Sequence, residues 1–271
     1  MIIGIKKYLL GVILLLIVII TSFIMVNNLK SINAEDGKDE YLGYEVTKDN
    51  INIPVLCYHS ISDKEIDGNA VIITEERFRS HMKTIHSLGY KTLTIEELKE
   101  YLIDNKEIPV KSVLITFDDG YKDTYSTALN ILKEYNMVAT VFIIGDKVDK
   151  DGYMSKEDIN EWINSGCSVG SHTLTHRNLD ELSYEKQESE FIKSKDILEN
   201  IINNKVISIA YPIGANNKET EKVFNKGDYL LGFATTRGYI CRDSKIGKLN
   251  RFLVDYTYDS KDIKNILENA N

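Results

Sequence analysis

The sequence predicts an α/β protein in which one parallel sheet is covered by helices. Two observations carry that prediction. From residue 51 onward, short apolar runs rich in Val, Ile, Phe and Tyr alternate with longer stretches whose apolar residues recur at helical spacing. Three of the apolar runs pass directly into polar clusters of Asp, His, Tyr and Gly, the position where sites assemble in parallel folds. About 220 residues of such alternation suit one α/β barrel rather than two domains. The chain shows no internal repeat and no low-complexity tract.

The first element is a targeting segment. Lys6 and Lys7 precede Tyr8–Val26, an uncharged run dominated by Ile, Leu and Val. As a helix rising about 1.5 Å per residue it spans the roughly 30 Å hydrocarbon core. The preceding lysines put residues 1–7 in the cytoplasm and the remainder outside. The expectation is a single-pass anchor at the cell membrane. A cleaved signal peptide is the competing reading, since Ile32-Asn33-Ala34 is a tolerable cleavage site that would release a secreted protein. Residues 27–50 are polar and aperiodic and read as a linker. The folded domain is assigned to 51–271.

Within that domain, "IPVLCYH" (53–59) reads as a strand, followed by a helix over 74–90 with Phe78, Met82, Ile85 and Leu88 on one face. "SVLITF" (112–117) and "VATVFII" (138–144) read as strands, each followed by a helical pattern. The same alternation continues through "CSVGS" (167–171), the amphipathic stretch Leu179 to about Asn203, "VISIAYP" (206–212), the helix around "NKETEKVFNK", and "YLLGFATT" (229–236).

Charge narrows the function. Residues 1–30 hold three lysines and no acid, so the remainder carries 30 basic against 41 acidic residues, a net charge of −11. Phosphate backbones would be repelled, which excludes a nucleic-acid partner. Cys57, Cys167 and Cys241 are widely spaced, odd in number and without a CxxC. They read as small core residues, with room for one pair among them.

The chemistry lies in three clusters. "LITFDDGY" places Asp118 and Asp119 just after a strand, with Gly120 permitting a tight turn. "VGSHTLTHRNL" places His172 and His176 after another, and "IAYPIGANN" places Tyr211, Pro212, Ile213 and Gly214 after a third. Each is unremarkable alone. Together they supply two imidazoles and a carboxylate for a divalent metal with an open position, and a second carboxylate to take a proton from water. Zinc suits such a set best, with cobalt or nickel admissible.

"TFDDG", "SHTLTH" and "AYPIG", in that order, resemble the successive motifs of the polysaccharide deacetylases, the NodB-homology or carbohydrate esterase family 4 enzymes, over about residues 52–255. The resemblance implies a distorted (β/α) barrel of about seven strands. It implies that Asp118 is the catalytic base and that Asp119, His172 and His176 hold the metal. It also implies that the third motif, Tyr211, Pro212 and Ile213, lines the oxyanion and substrate side.

Two departures from the family pattern matter. Ala210 stands where the third motif usually has an arginine, Tyr211 where it has its first proline, and Ile213 where it has a tyrosine. The contact attributed to that last position is a backbone N–H, which isoleucine retains. The missing arginine needs a substitute to steady the base, and Arg251 in "KLNRFLVD" is the candidate; a surface or barrel-end salt bridge is its other reading. The family's usual acid, a histidine near the C-terminus, is also missing, because no histidine follows His176. His81 and His86 sit on an amphipathic helix and are expected at the surface. His59 ends a strand and resembles the Tyr-His pair of a subgroup that deacetylates biofilm poly-N-acetylglucosamine, where it supplies the acid.

The expected activity is metal-dependent N-deacetylation of N-acetylglucosamine residues in a cell-envelope polysaccharide, either peptidoglycan or poly-N-acetylglucosamine. An O-acetyl polysaccharide esterase and a non-catalytic, membrane-anchored glycan-binding domain are the alternatives.

Overall fold

A computed structural model describes residues 41–63 and 69–270. Among these, no helix is long and apolar enough to cross a membrane; the expected span Tyr8–Val26 lies outside them.

Eight parallel strands form the main sheet: β1 (Val55–Tyr58), β2 (Lys91–Thr92), β3 (Ser112–Phe117), β4 (Thr140–Ile143), β5 (Ser168–Ser171), β6 (Ser208–Ala210), β7 (Leu231–Phe233) and β8 (Phe252–Leu253). Seven follow one path, β7-β6-β5-β4-β3-β1-β8, and β2 pairs off it with the start of β3. The two ends of the path do not pair strand to strand. A parallel bridge between Phe233 and Leu249 and a bond from the Arg251 N–H to the Thr236 carbonyl link them instead. The fold is thus an open, curled version of the expected barrel.

Helices α1 (Glu75–Ser87), α2 (Ile95–Leu102), α3 (Leu129–Glu134), α4 (Lys156–Asn164), α5 (Tyr184–Ile202), α6 (Lys218–Lys226) and α7 (Ser260–Glu268) connect and follow the strands. Thr94, Ser155, Asn217 and Asp259 close capping boxes at α2, α4, α6 and α7. Such a cap typically contributes about 1 kcal/mol by satisfying N–H groups that a helix start leaves open. The region over 124–134 begins as a π-helical turn, Thr124–Ala128, before continuing as α3.

Side-chain alternation along β3 shows how the sheet divides the core. Val113, Ile115 and Phe117 join a large cluster with Phe78, Trp162 and Phe191, whereas Leu114 joins a second with Ile53, Phe142, Phe233 and Leu249. Period-2 alternation sends successive residues to opposite faces. The face that carries Leu114 also carries Thr116, which lies against Arg251.

Three expectations change here. The folded unit begins at Val46, because Val46–Thr47 pairs antiparallel with Ile108–Pro109; the stretch 46–50 is therefore not linker. The cysteines form no pair, since all three are free. His81 is fully buried rather than at the surface. It stands three residues after Phe78 and four before Ile85, so it shares their inward face. His86 is exposed, as expected.

Candidate active site

Parallel strands put all their C-terminal ends on one edge, and four strands, two on either side of β4, deliver the candidate residues there. His59 follows β1, Asp118 and Asp119 follow β3, His172 follows β5 and Tyr211 follows β6. Register aligns the strand ends: Tyr58 pairs with Phe117, and Ile209 with Ser171. The local backbone then takes unusual turns. Asp119, Thr173, His176 and Ile213 all have positive φ, between 52° and 71°. Non-glycine residues in this region are uncommon, and such conformations gather at functional sites where the surroundings enforce them.

The two aspartates sit in opposite environments. Asp118 is 2% exposed and Arg251 is 0% exposed. The guanidinium grips the carboxylate with two bonds of 2.7 Å, Nη1 to Oδ1 and Nη2 to Oδ2. The surface salt-bridge reading of Arg251 is thereby excluded. Burial by itself would raise the Asp118 pKa, but Arg251, followed by His172, holds it well below the usual carboxylate range. The Cys57 thiol donates to Oδ2 at 3.5 Å. Burial pushes that thiol's own pKa strongly upward, so it stays protonated.

Asp119 has no such partner on its inner oxygen. Its Oδ1 is buried without a hydrogen bond, yet lies 3.3 Å from His176 Nε2 and 3.5 Å from His172 Nε2. His172 is itself buried, and its Nδ1 donates to the Ala210 carbonyl at 2.8 Å. That bond leaves Nε2 as the acceptor nitrogen of a neutral ring, and burial lowers the imidazole's pKa. The loop carrying His176 is tied to α5, where Glu190 accepts bonds from the Thr175 N–H and hydroxyl at 2.8 and 2.6 Å.

One carboxylate and two imidazole donors thus meet within 4.8 Å of one another. An orphaned buried oxygen facing two ring nitrogens, one oriented by a backbone carbonyl, fits a divalent metal. Without a cation the polar oxygen would be left unsatisfied at a cost of about 1–3 kcal/mol.

His59 is half-buried, within 4.8 Å of an Asp118 carboxylate oxygen and of Cys57 Sγ. Its Nδ1 has no hydrogen-bond partner among the described residues.

The third cluster differs in part from expectation. The Tyr211 side chain turns into the core rather than out to the rim. It is 1% exposed, stacks on Phe191 and donates its hydroxyl to the Gly247 carbonyl. Pro212 is buried too, whereas Ile213 is 67% exposed.

Sequence reasoning missed two residues. Cys57 was readable as core filler, although period-2 alternation along β1 puts it on the face of His59. Tyr121 stacks on Tyr153 with ring centres 5.3 Å apart, and burial, followed by the Asp119 charge, pushes its phenol pKa upward; no spacing rule would have singled it out.

A sheet rim bearing a metal-competent triad beside an arginine-held carboxylate has the parts that metal-assisted hydrolysis uses. The family model described as polysaccharide deacetylase matches residues 105–231. YxkH of Bacillus subtilis (strain 168), named provisionally as a polysaccharide deacetylase, is 36% identical over 225 residues, covering 83% of this chain and 79% of that protein. A poly-β-1,6-N-acetyl-D-glucosamine N-deacetylase of Staphylococcus epidermidis is 26% identical over 266 residues, covering 89% and 90%. Among solved structures, the Streptococcus pyogenes deacetylase PplD in complex with acetate superposes with a TM-score of 0.77 at 28% identity, covering 81% of this chain and 99% of its own. BC0361, a polysaccharide deacetylase from Bacillus cereus, gives 0.73 at 29%, covering 80% and 69%. This chain belongs to the polysaccharide deacetylase family, whose members hydrolyse carbon–nitrogen bonds other than peptide bonds.

Proposed function

We propose that this protein removes acetyl groups from N-acetylglucosamine residues of an extracytoplasmic polysaccharide, with a poly-β-1,6-N-acetylglucosamine exopolysaccharide preferred over peptidoglycan. The observation that carries the reading is the split between Asp118, saturated by Arg251, and Asp119, whose orphaned oxygen faces two imidazoles. Support for the polymer comes from the Staphylococcus relative's name.

Asp119, His172 and His176 would hold the metal, with zinc suited to two nitrogens and one oxygen. When bound, it supplies a Lewis acid that polarises the acetyl carbonyl and acidifies water. Asp118 takes the proton from the attacking water, its orientation set by the two Arg251 bonds. The Ile213 N–H donates to the carbonyl oxygen as charge gathers there. His59, beside Asp118, gives a proton to the nitrogen as the C–N bond breaks, leaving acetate and a free amine. A glycan-binding domain would have no need for a buried ion pair placed against an open donor triad.

Residues 8–26 anchor the protein in the membrane with its catalytic domain outside, a reading that rests on the apolar run and its flanking lysines. Carbonate-washed membranes should retain the full-length chain; recovery of most of it from the medium, starting near Glu35, would mean cleavage instead. For the activity, acetate release from β-1,6-linked N-acetylglucosamine oligomers is measured against release from peptidoglycan. Turnover of the oligomers supports the reading, and turnover of O-acetylated glycans alone would replace it with the esterase.

A further inference from the structure

We propose that the segment Ala234–Thr236 is a brace that sets both the Ile213 turn and Arg251, with Thr235 as the positioning residue for the turn. The proposal rests on the roles given above to Ile213 and Asp118. The chain leaves β7 at Phe233, and each of the next three residues then holds either Arg251 or Ile213. The Ala234 carbonyl accepts from Arg251 Nε at 3.0 Å. The Thr235 hydroxyl donates to the Ile213 carbonyl at 3.2 Å. The Thr236 carbonyl accepts from the Arg251 N–H at 3.0 Å. Ala234 is itself fixed, since its N–H donates to the Leu249 carbonyl at 2.9 Å.

The turn needs such a hold. Ile213 has φ 52° and ψ 11°, and a β-branched side chain is a genuine outlier there because its Cβ crowds the backbone. The conformation persists only if its surroundings impose it. Two bonds to the end of β7 do so from either side: the Tyr211 N–H donates to the Phe233 carbonyl at 2.9 Å, and the Ile213 carbonyl receives Thr235. Contact is close. A Cβ added at Gly214, itself at φ +75°, would stand 2.1 Å from Thr235 Oγ1 and 2.8 Å from its nitrogen. Releasing the Ile213 carbonyl frees the backbone to relax toward ordinary φ, which turns the amide. An oxyanion donor contributes only while aimed at the place where charge develops. Loss of that aim lowers kcat and leaves substrate binding alone.

The test compares Thr235→Val, which keeps shape without the hydroxyl, with Thr235→Ser, which keeps the hydroxyl without the methyl. Acetate release from N-acetylglucosamine oligomers is followed with the metal-loaded full-length protein. Thr235→Val should lose roughly 10-fold in kcat, about the worth of one neutral hydrogen bond. Its KM should stay within about twofold and the Ser variant's kcat within about threefold of the parent. If Ser loses more than Val, Thr235 is packing only and the brace is overturned; a Val variant at parental kcat, or one altered in KM alone, overturns it as well. Should Thr235→Val fail to fold, Thr235→Ala takes its place in the comparison. Asp118→Asn is measured alongside. If that variant keeps full turnover, the reading of the site fails and the brace falls with it. If it is inactive while Thr235→Val is not impaired, only the brace fails.

Discussion

His81 and His172 are both buried histidines, and burial disfavours the charged form of each. Their surroundings differ in one respect. His81, on the inward face of α1, has both nitrogens engaged: Nε2 donates to the Tyr258 carbonyl at 3.1 Å, and Nδ1 accepts from the Tyr58 hydroxyl at 3.2 Å. His172 has Nδ1 engaged by the Ala210 carbonyl, but its Nε2 faces Asp119 at 3.5 Å and Asp118 at 3.9 Å. A satisfied ring is a strut. A ring with one oriented, open nitrogen is a ligand waiting for a cation. The same contrast separates Asp118 from Asp119 one peptide apart, so an unsatisfied atom marks a candidate metal ligand better than burial does.

Removing the open donors should have the largest effect. His172→Ala and His176→Ala each leave two donors, too few for tight zinc. Elemental analysis should find no stoichiometric metal and acetate release should fall to background; a full zinc equivalent in either variant would break the comparison. His59→Ala comes next. Loss of a general acid typically costs about 10²–10⁴ in rate, so kcat on an N-acetyl oligomer should fall by that range with metal content unchanged. An activated acetate ester should be spared, because its leaving group departs without a proton.

Arg251→Gln strands a buried carboxylate, and breaking a buried pair this way costs about 3–5 kcal/mol. Chemical denaturation should show that loss, and an unchanged midpoint would mean that Asp118 is neutral or hydrated. The smallest effect is that of His81, seen in the pH dependence of stability. Its imidazole pKa is pushed down to about 4 by burial, against 6.5 for the free side chain. Between those values the unfolded state binds more protons, so stability falls as pH drops from about 6.5 toward 4. The loss should approach about 3 kcal/mol. His81→Gln should flatten that slope and leave acetate release at neutral pH within about twofold of the parent.

The contrast between these histidines was only half legible in the sequence. His172, His176 and the aspartates announce themselves because each directly follows an apolar strand, and strand ends in a parallel sheet converge. Arg251 is legible through a gap elsewhere, since Ala210 stands where the family motif has an arginine. The burial of His81 was overlooked although helical spacing put it among Phe78 and Ile85, because its polar type outweighed its position. Tyr211 shows the opposite failure: its place in a motif suggested a substrate contact, while tertiary packing on Phe191 sends the ring into the core. Helices α2 and α7 and the strand at Val46 are also not among the elements expected from the sequence. Val46–Thr47 is too short to carry a periodic signal of its own, and its pairing with Ile108–Pro109 is fixed by a distant part of the chain.

The division of labour between the adjacent aspartates is the central claim, and a paired measurement tests it most directly. Asp118→Asn and Asp119→Asn are compared for bound metal by elemental analysis and for acetate release from the same preparation. Asp118→Asn should retain a full equivalent of metal and lose about 10²–10⁴ in rate. Asp119→Asn should lose the metal itself. Metal loss from Asp118→Asn with retention by Asp119→Asn, or equal metal content in both, would contradict the account.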